Sequence, residues 1–344
     1  MNGQRKGRMP MKKMIALLCS AMVIAFLLYG HFSELSPTPK QPYKVGVLVA
    51  NDLRLVKVDG LKARLREMGL IEGENIVFHI ENGESDLTDL TELGKKLLLG
   101  KPDILVASGA VEALSLKELT SALESPPPVV FMGTLSPSVI GLVEDTLRPG
   151  NHLTGLNNYH YELTPKRFEL LHRLLPEIKK VAILGDTRVP FFEQTQAGLY
   201  QASQKMGIEL STYTLTDVQE IQEVFRKIQE AEEEGIVLLP GFFLESHTEE
   251  IVQYALAFKI PVFGVYPQDT MAGCLASYGM SNWNQGTQSA NMVYKILQGQ
   301  NPGKIPVETP DRIIFSVNLQ TAEQLGITPS QAVLSLADEV IDDE

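Results

Sequence analysis

Four short stretches of this 344-residue chain carry side chains that could hold a small molecule: Ser108-Gly109, Thr134 with Ser136, Asp186-Thr187, and the aromatics Phe242 and Tyr266. A hydroxyl followed by glycine at the start of a helix offers an O–H and free backbone N–H groups, a donor set that suits a carboxylate; the same pair serves equally well as an N-cap. Thr134 and Ser136, just before Pro137, have the same two readings. Asp186 and Thr187 close a strand-like run, where an acid could meet a ligand amine or simply sit in a solvated turn. Phe242 and Tyr266 could stack on a ring or pack inward. Asn157 and Asn158 read as hinge residues more than as ligand contacts, because Asn tolerates unusual backbone angles, and Asn157 stays a candidate for ligand binding.

Catalytic chemistry is not in the pattern. His152, His160, His172 and His247 lack metal-ligand spacing and read as surface or helix-face residues. No G-x-S-x-G, G-x-G-x-x-G or G-x-x-x-x-G-K-[ST] occurs, so the common nucleophile, dinucleotide and P-loop signatures are missing. The expectation is a binding protein with no catalytic residue, no metal and no cofactor. The net charge of −12 argues against nucleic acid, which needs clustered Lys and Arg.

The elements that would position these residues come in two copies. "GLKARLREMGLI" (60–71) returns as "GLYQASQKMGIE" (198–209), "KVGVL" (44–48) as "KVAIL" (180–184), "DILV" (103–106) as "GIVLL" (235–239), "PVVF" (128–131) as "PVFG" (261–264), and "TGLNN" (154–158) as "YGMSN" (278–282). Five matches in one order point to one layout used twice. Within each copy, apolar β-branched runs alternate with stretches of helical spacing. "KVGVLV" is apolar almost throughout, as a parallel strand covered on both faces should be. The expected fold is therefore α/β, with two Rossmann-like lobes of parallel sheet. The chain is expected to cross between lobes near 155–160, 280–285 and 305–312. Facing lobes of this kind bring their strand ends, and the helix N-termini there, into one cleft.

The first thirty residues differ from the rest. Arg5, Lys6, Arg8, Lys12 and Lys13 precede the apolar run 14–30, an export signal that is either cleaved or retained as an anchor. Cys19, after Leu18, reads as a membrane-buried thiol. Residues 31–42 read as a linker. Beyond them Cys274 is the single cysteine, so no intramolecular disulfide can form in the exported part. These boundaries imply a first lobe of 43–156 with about 283–308, and a second of 157–282 with about 309–341.

Several segments resemble the periplasmic substrate-binding proteins of ABC transporters that include tryptophan and tyrosine binders. They are "GLVEDTLRPGNHLTGL" (141–156), "FELLHRLLPEIKKVAIL" (168–184), "IPVFGVYPQDTMAGCLASYGMS" (260–281), "NPGKIPVETPDRIIFSVNLQTAEQLGI" (301–327) and "LADEVI" (336–341). The resemblance implies a type I periplasmic binding protein fold with a multi-crossing hinge, closing as a monomer on a small molecule. It implies delivery to a membrane permease driven by an ATPase on a separate chain, outside the cytoplasm. Carried over loop by loop, it implies ligand contacts at Asn51, at Ser108 and Gly109, and from Thr134 to Ser136. Where relatives carry T-D-P in the fourth loop, this chain has Leu135, Ser136 and Pro137, so a carboxylate that could meet an ammonium is missing. The bulky Phe191, Phe242 and Phe243 favour an apolar or aromatic ligand, or a site partly filled by the protein itself. A ligand-sensing module signalling to a membrane partner is the alternative, favoured by a retained anchor.

Overall fold

The computed structural model describes residues 41–84, 89–189 and 192–342. The export signal, its Cys19, most of the linker and Phe191 lie outside the described residues. The first sheet is built from β1 (Tyr43–Val49), α1 (Leu55–Glu67), β2 (Ile76–Asn82), α2 (Leu90–Leu99), β3 (Ile104–Ala107), α3 (Ala110–Ser121), β4 (Val129–Thr134) and β5 (Leu153–Asn157), with strand order β2-β1-β3-β4-β5. The second is built from α4 (His160–Leu174), β6 (Lys180–Gly185), α5 (Phe192–Met206), β7 (Glu209–Thr214), α6 (Ile221–Glu230), β8 (Gly235–Leu238), α7 (Phe242–Ser246), α8 (Thr248–Ala257), β9 (Val262–Gly264), α9 (Pro267–Met271) and β10 (Ala276–Gly279). Its order, β7-β6-β8-β9-β10, repeats the first and is then extended by β11 (Ile314–Asn318) and β12 (Glu339–Ile341).

Burial explains the apolar runs. Along β1, Val45, Val47 and Val49 enter the core on one face of the sheet, while Leu48 enters the core on the other. In β6, Val181 and Ile183 go to one core and Ala182 and Leu184 to the opposite one. The repeated Met-Gly has a cause: Gly69 and Gly207 follow the helices α1 and α5 with φ of +87° and +69°, a left-handed cap that glycine adopts without strain. Of the repeated Gly-Leu, Leu61 and Leu199 are both fully buried, whereas only the first glycine is confined. A Cβ on Gly60 would strike the Trp283 carbonyl, and one on Gly198 would meet nothing.

Trp283 belongs to α10 (Asn282–Leu297), which follows β10 but packs against α1 and contributes Met292, Val293 and Ile296 to a core of the first sheet. The chain then returns to the second sheet as β11, antiparallel to β10, whereas every other pair is parallel. The reversal has a geometric cause. β10 leaves its lobe at the hinge and β11 enters there, so the two must run in opposite directions. Residues 305–308 of the returning segment lie along β5: Glu308 N bonds Gly155 O at 2.9 Å and Asn157 N bonds Glu308 O at 2.9 Å. Among the described residues, no helix is long and apolar enough to cross a membrane.

Candidate ligand-binding cleft

In each sheet the first strand of the repeat has a neighbour on either side, and the connections leave in opposite directions. The strand ends at that reversal are where open α/β sheets hold ligands. A cavity of about 330 Å³ lies there, lined from the first lobe by the ends of β1, β3 and β4 and from the second by the ends of β6, β8 and β9. It sits at the small end of the roughly 300–1,000 Å³ usual for ligand sites.

Arg54 occupies the boundary between the lobes. It closes a short 3-10 turn, Asp52–Arg54, that Asn51 caps by accepting from Arg54 N at 3.2 Å. Its Nη1 donates to both oxygens of Glu112, at 3.0 and 2.9 Å, in the first turn of α3. Its Nε and Nη2 donate to Glu245 in α7, at 3.2 and 2.6 Å. The guanidinium also lies 5.0 Å from the centroid of the Phe242 ring. Arg54 is 6% exposed, Glu112 0% and Glu245 7%. Burial opposes the charge on Arg54, but the two glutamates outweigh it and hold the guanidinium firmly protonated. Burial would likewise raise the Glu245 carboxyl; the charge and hydrogen bonds of Arg54 bring it below the ordinary value. Gly109 has a steric role: a Cβ there would overlap the Arg54 guanidinium.

Lys57, one turn into α1, has no such carboxylate partner. Its Nζ donates to the carbonyls of Ser108 (2.8 Å) and Met132 (3.2 Å), leaving one N–H beyond those bonds. Burial, helped by the Arg54 charge and partly opposed by Glu245 and Glu112, lowers its pKa to about 8. The helix is pinned at this depth by backbone contact with α10, where a Cβ on Gly286 would overlap the Lys57 carbonyl.

Beside Lys57, the end of β4 passes through Gly133, with φ of +90°, and a register shift between Phe131 and Thr134; Thr134 ends the strand in the cavity lining with its Oγ1 lacking a partner. Asn158 N bonds Thr134 O at 2.9 Å, and Asn158 Oδ1 accepts from His160 N at 3.3 Å. The left-handed residue of this hinge is Tyr159, with φ of +57°, held between the side chains of Asn157 and Asn158. His160 opens α4 but is buried, which rules out the surface half of the surface or helix-face role read from its spacing. Arg167 Nη2 bonds its Nδ1 at 2.9 Å, and because a guanidinium only donates, the imidazole proton must be on Nε2. Burial, with the charges of Arg167 and Lys57, keeps the ring neutral. Nε2 has no partner and Tyr266 packs edge-on against the ring at 4.7 Å.

The remaining walls are apolar: Val111, Leu114, Leu135 and Ile140 from the first lobe, Val189 and Phe242 from the second. Asp186, at the end of β6, accepts from Arg188 N (2.9 Å), Nε (2.9 Å) and Nη2 (2.7 Å).

Of the residues singled out from sequence, Thr134, Asp186, Phe242 and Tyr266 line this cavity. Asn51 instead bridges the lobes, donating to Ser246 Oγ at 3.0 Å. Ser108 is fully buried and neither caps α3, whose N-cap is Gly109, nor lines the cavity; its hydroxyl donates to Glu112. Gly109 lies behind Arg54, Asn157 caps Tyr159, and Ser136 and Thr187 stand outside the lining. Sequence reading missed Arg54, Lys57, Glu112, Glu245 and His160. Glu112, three residues after a helix-opening glycine, was the one with a local signal. Among the described residues, no group of three or more His, Cys, Asp or Glu is placed to hold a metal.

Comparison with known proteins agrees with this architecture. The family described as ABC transporter substrate binding protein matches residues 44–341. A tyrosine-binding protein of Clostridioides difficile is 22% identical over 269 residues, covering 78% of this chain and 76% of that protein. A conserved domain protein of Vibrio cholerae superposes with a TM-score of 0.78 at 26% identity, over 88% of this chain and 100% of the other. An ABC domain from Streptococcus pneumoniae in complex with L-Trp superposes with a TM-score of 0.77 at 23% identity, over 88% and 100%.

Proposed function

This chain belongs to the family of ABC transporter substrate-binding proteins, extracytoplasmic proteins that bind small molecules, deliver them to a permease and are not enzymes; from that premise we propose that it captures an apolar or aromatic small molecule between its lobes. Aromatic or branched amino acids and related compounds form the candidate class. The observation that carries this reading is the interlobe cavity itself, with apolar walls from both lobes and uncommitted polar groups at its hinge end. In this reading Thr134, Asp186, Phe242 and Tyr266 contact the ligand together with Arg54, Lys57, Asn158 and His160. The chain acts as a monomer whose two lobes, 43–156 with 283–308 and 157–282 with 309–341, turn about their connections, and it hands its ligand to a permease with a separate ATPase chain.

A thermal-shift screen of the purified chain tests this, using aromatic and branched amino acids and the carboxylic acids of the same skeletons. At least one compound is expected to raise the melting temperature, and Phe242→Ala to weaken an aromatic ligand more than a small aliphatic one, because ring contact is what Phe242 supplies. A folded chain that none of these compounds stabilises would overturn the proposal.

A further inference from the structure

We infer that the cleft is built for a hydrophobic monocarboxylate without an amino group, and that it discriminates against the zwitterionic amino acid of the same skeleton. This rests on the cleft reading above and narrows it.

The polar groups of the cavity lining divide into engaged acceptors and unengaged donors. Two carboxylates line it, and both are engaged. Glu245 has each oxygen bonded by Arg54, and Asp186 has each oxygen bonded by Arg188. Backbone acceptors of the lining at the hinge end are occupied as well: Thr134 O by Asn158 N, and His160 O by Arg167 at 2.9 Å. An entering ammonium would therefore leave water and find no free anion, and burying an unpaired charge is costly.

Donors are in the opposite condition. Lys57 keeps an N–H, and two other residues of the lining hold buried donors without a partner, His160 Nε2–H and the Thr134 hydroxyl. One run of backbone joins them: Lys57 holds Met132 O, Asn158 holds Thr134 O, and the Asn158 side chain holds His160 N. A carboxylate accepts only, so it fits this corner, and Lys57 supplies the charge it needs. Beyond the corner the walls are Val111, Leu114, Leu135, Ile140, Val189 and Phe242, and the volume of about 330 Å³ suits a compact aryl or branched body.

Calorimetry with 3-phenylpropanoate, L-phenylalanine and phenethylamine reads this out. The acid is expected to bind at least ten-fold more tightly than the amino acid, and the amine not to bind. Thr134→Val, which removes a hydroxyl that bonds nothing in the fold, is expected to weaken the acid several-fold with the melting temperature unchanged; Lys57→Met is expected to weaken it more. L-phenylalanine binding as tightly as the acid or more so would overturn the inference and leave the cleft reading intact. If none of the three binds and no other compound of the thermal-shift screen does, both fall together.

Discussion

The loop after β3 in the first lobe and the loop after β8 in the second occupy the same place in the repeated layout. Each passes through an extended glycine, Gly109 or Gly241, into a helical turn that delivers a glutamate. There the likeness ends. Glu112 is held within its own lobe, by Ala50 N at 2.9 Å, by the Ser108 hydroxyl and by Arg54. Glu245 takes its bonds from Arg54 across the cleft. Duplicated geometry has thus been divided into a permanent anchor on one side and a conditional one on the other. One arginine serves both, so parting the lobes would release Glu245 to water while Arg54 kept Glu112.

The most damaging way to break this comparison is to remove the shared cation. Arg54→Ala leaves the buried Glu112 without its cation, and is expected to cost about 3–5 kcal/mol of unfolding free energy by chemical denaturation, the range for breaking a buried ion pair; a loss below about 1 kcal/mol would mean the network behaves like surface charge.

Next comes the cation that lacks a carboxylate. Folding lowers the Lys57 pKa from 10.5 to about 8, so between those values the unfolded chain binds more protons and stability rises with pH. The full rise is at most about 3 kcal/mol by the linkage of pKa to free energy. The second lobe's counterpart, Arg167, also sits on carbonyls, Tyr278 O and His160 O, but burial lowers it only to about 10. Its window therefore lies mostly above that of Lys57. Denaturation of wild type and Lys57→Met from pH 8 to 10.5 should show a more positive slope in wild type, set against a fall common to both chains from Cys274 and Tyr266, whose pKa values burial raises; equal slopes would remove Lys57 as the source of the difference. Of the groups facing Lys57, Arg54 is held protonated, Arg54 keeps Glu245 below its ordinary value and burial keeps His160 neutral, so none of these three changes charge in that interval.

The two glutamates can then be set against each other. Glu112→Gln is expected to cost about 2–3 kcal/mol and Glu245→Gln about 1 kcal/mol, following the usual worth of charged and neutral hydrogen bonds and the freedom of the lobes to part. Equal costs would erase the asymmetry. Smallest is Asn51→Ala, which removes the bridge to Ser246 and is expected to cost about 1 kcal/mol. Small-angle scattering of that variant should show a more expanded chain than wild type.

The scaffold was open to sequence reading because its causes are local. Met68-Gly69 and Met206-Gly207 end helices by a glycine cap, and "KVGVLV" is apolar because both faces of β1 are covered. The site was half hidden because its causes are distant. Arg54 and Glu245 are 191 positions apart, and Lys57 and Ser108 are 51 apart. In "LVKVDGLKARL" a buried lysine is indistinguishable from a solvated one, since helical spacing tells faces apart but not depth. Thr134 and Asp186 were within reach because they end strands at the carboxyl edge, a position that carries meaning without any knowledge of partners.

The path of α10 has a consequence for the order in which the molecule can form. A chain made only as far as Asn157 possesses all five strands of the first sheet, yet the face carrying Val45, Val47, Val130 and Met132 still awaits Met292, Val293 and Ile296. Those residues follow the whole of β6–β10, whose own sheet awaits β11 and β12. Neither lobe can be finished while the other is unmade, and apolar surface stays bare until nearly the last residue has been synthesised. The polypeptide therefore stays without a complete domain for most of its synthesis.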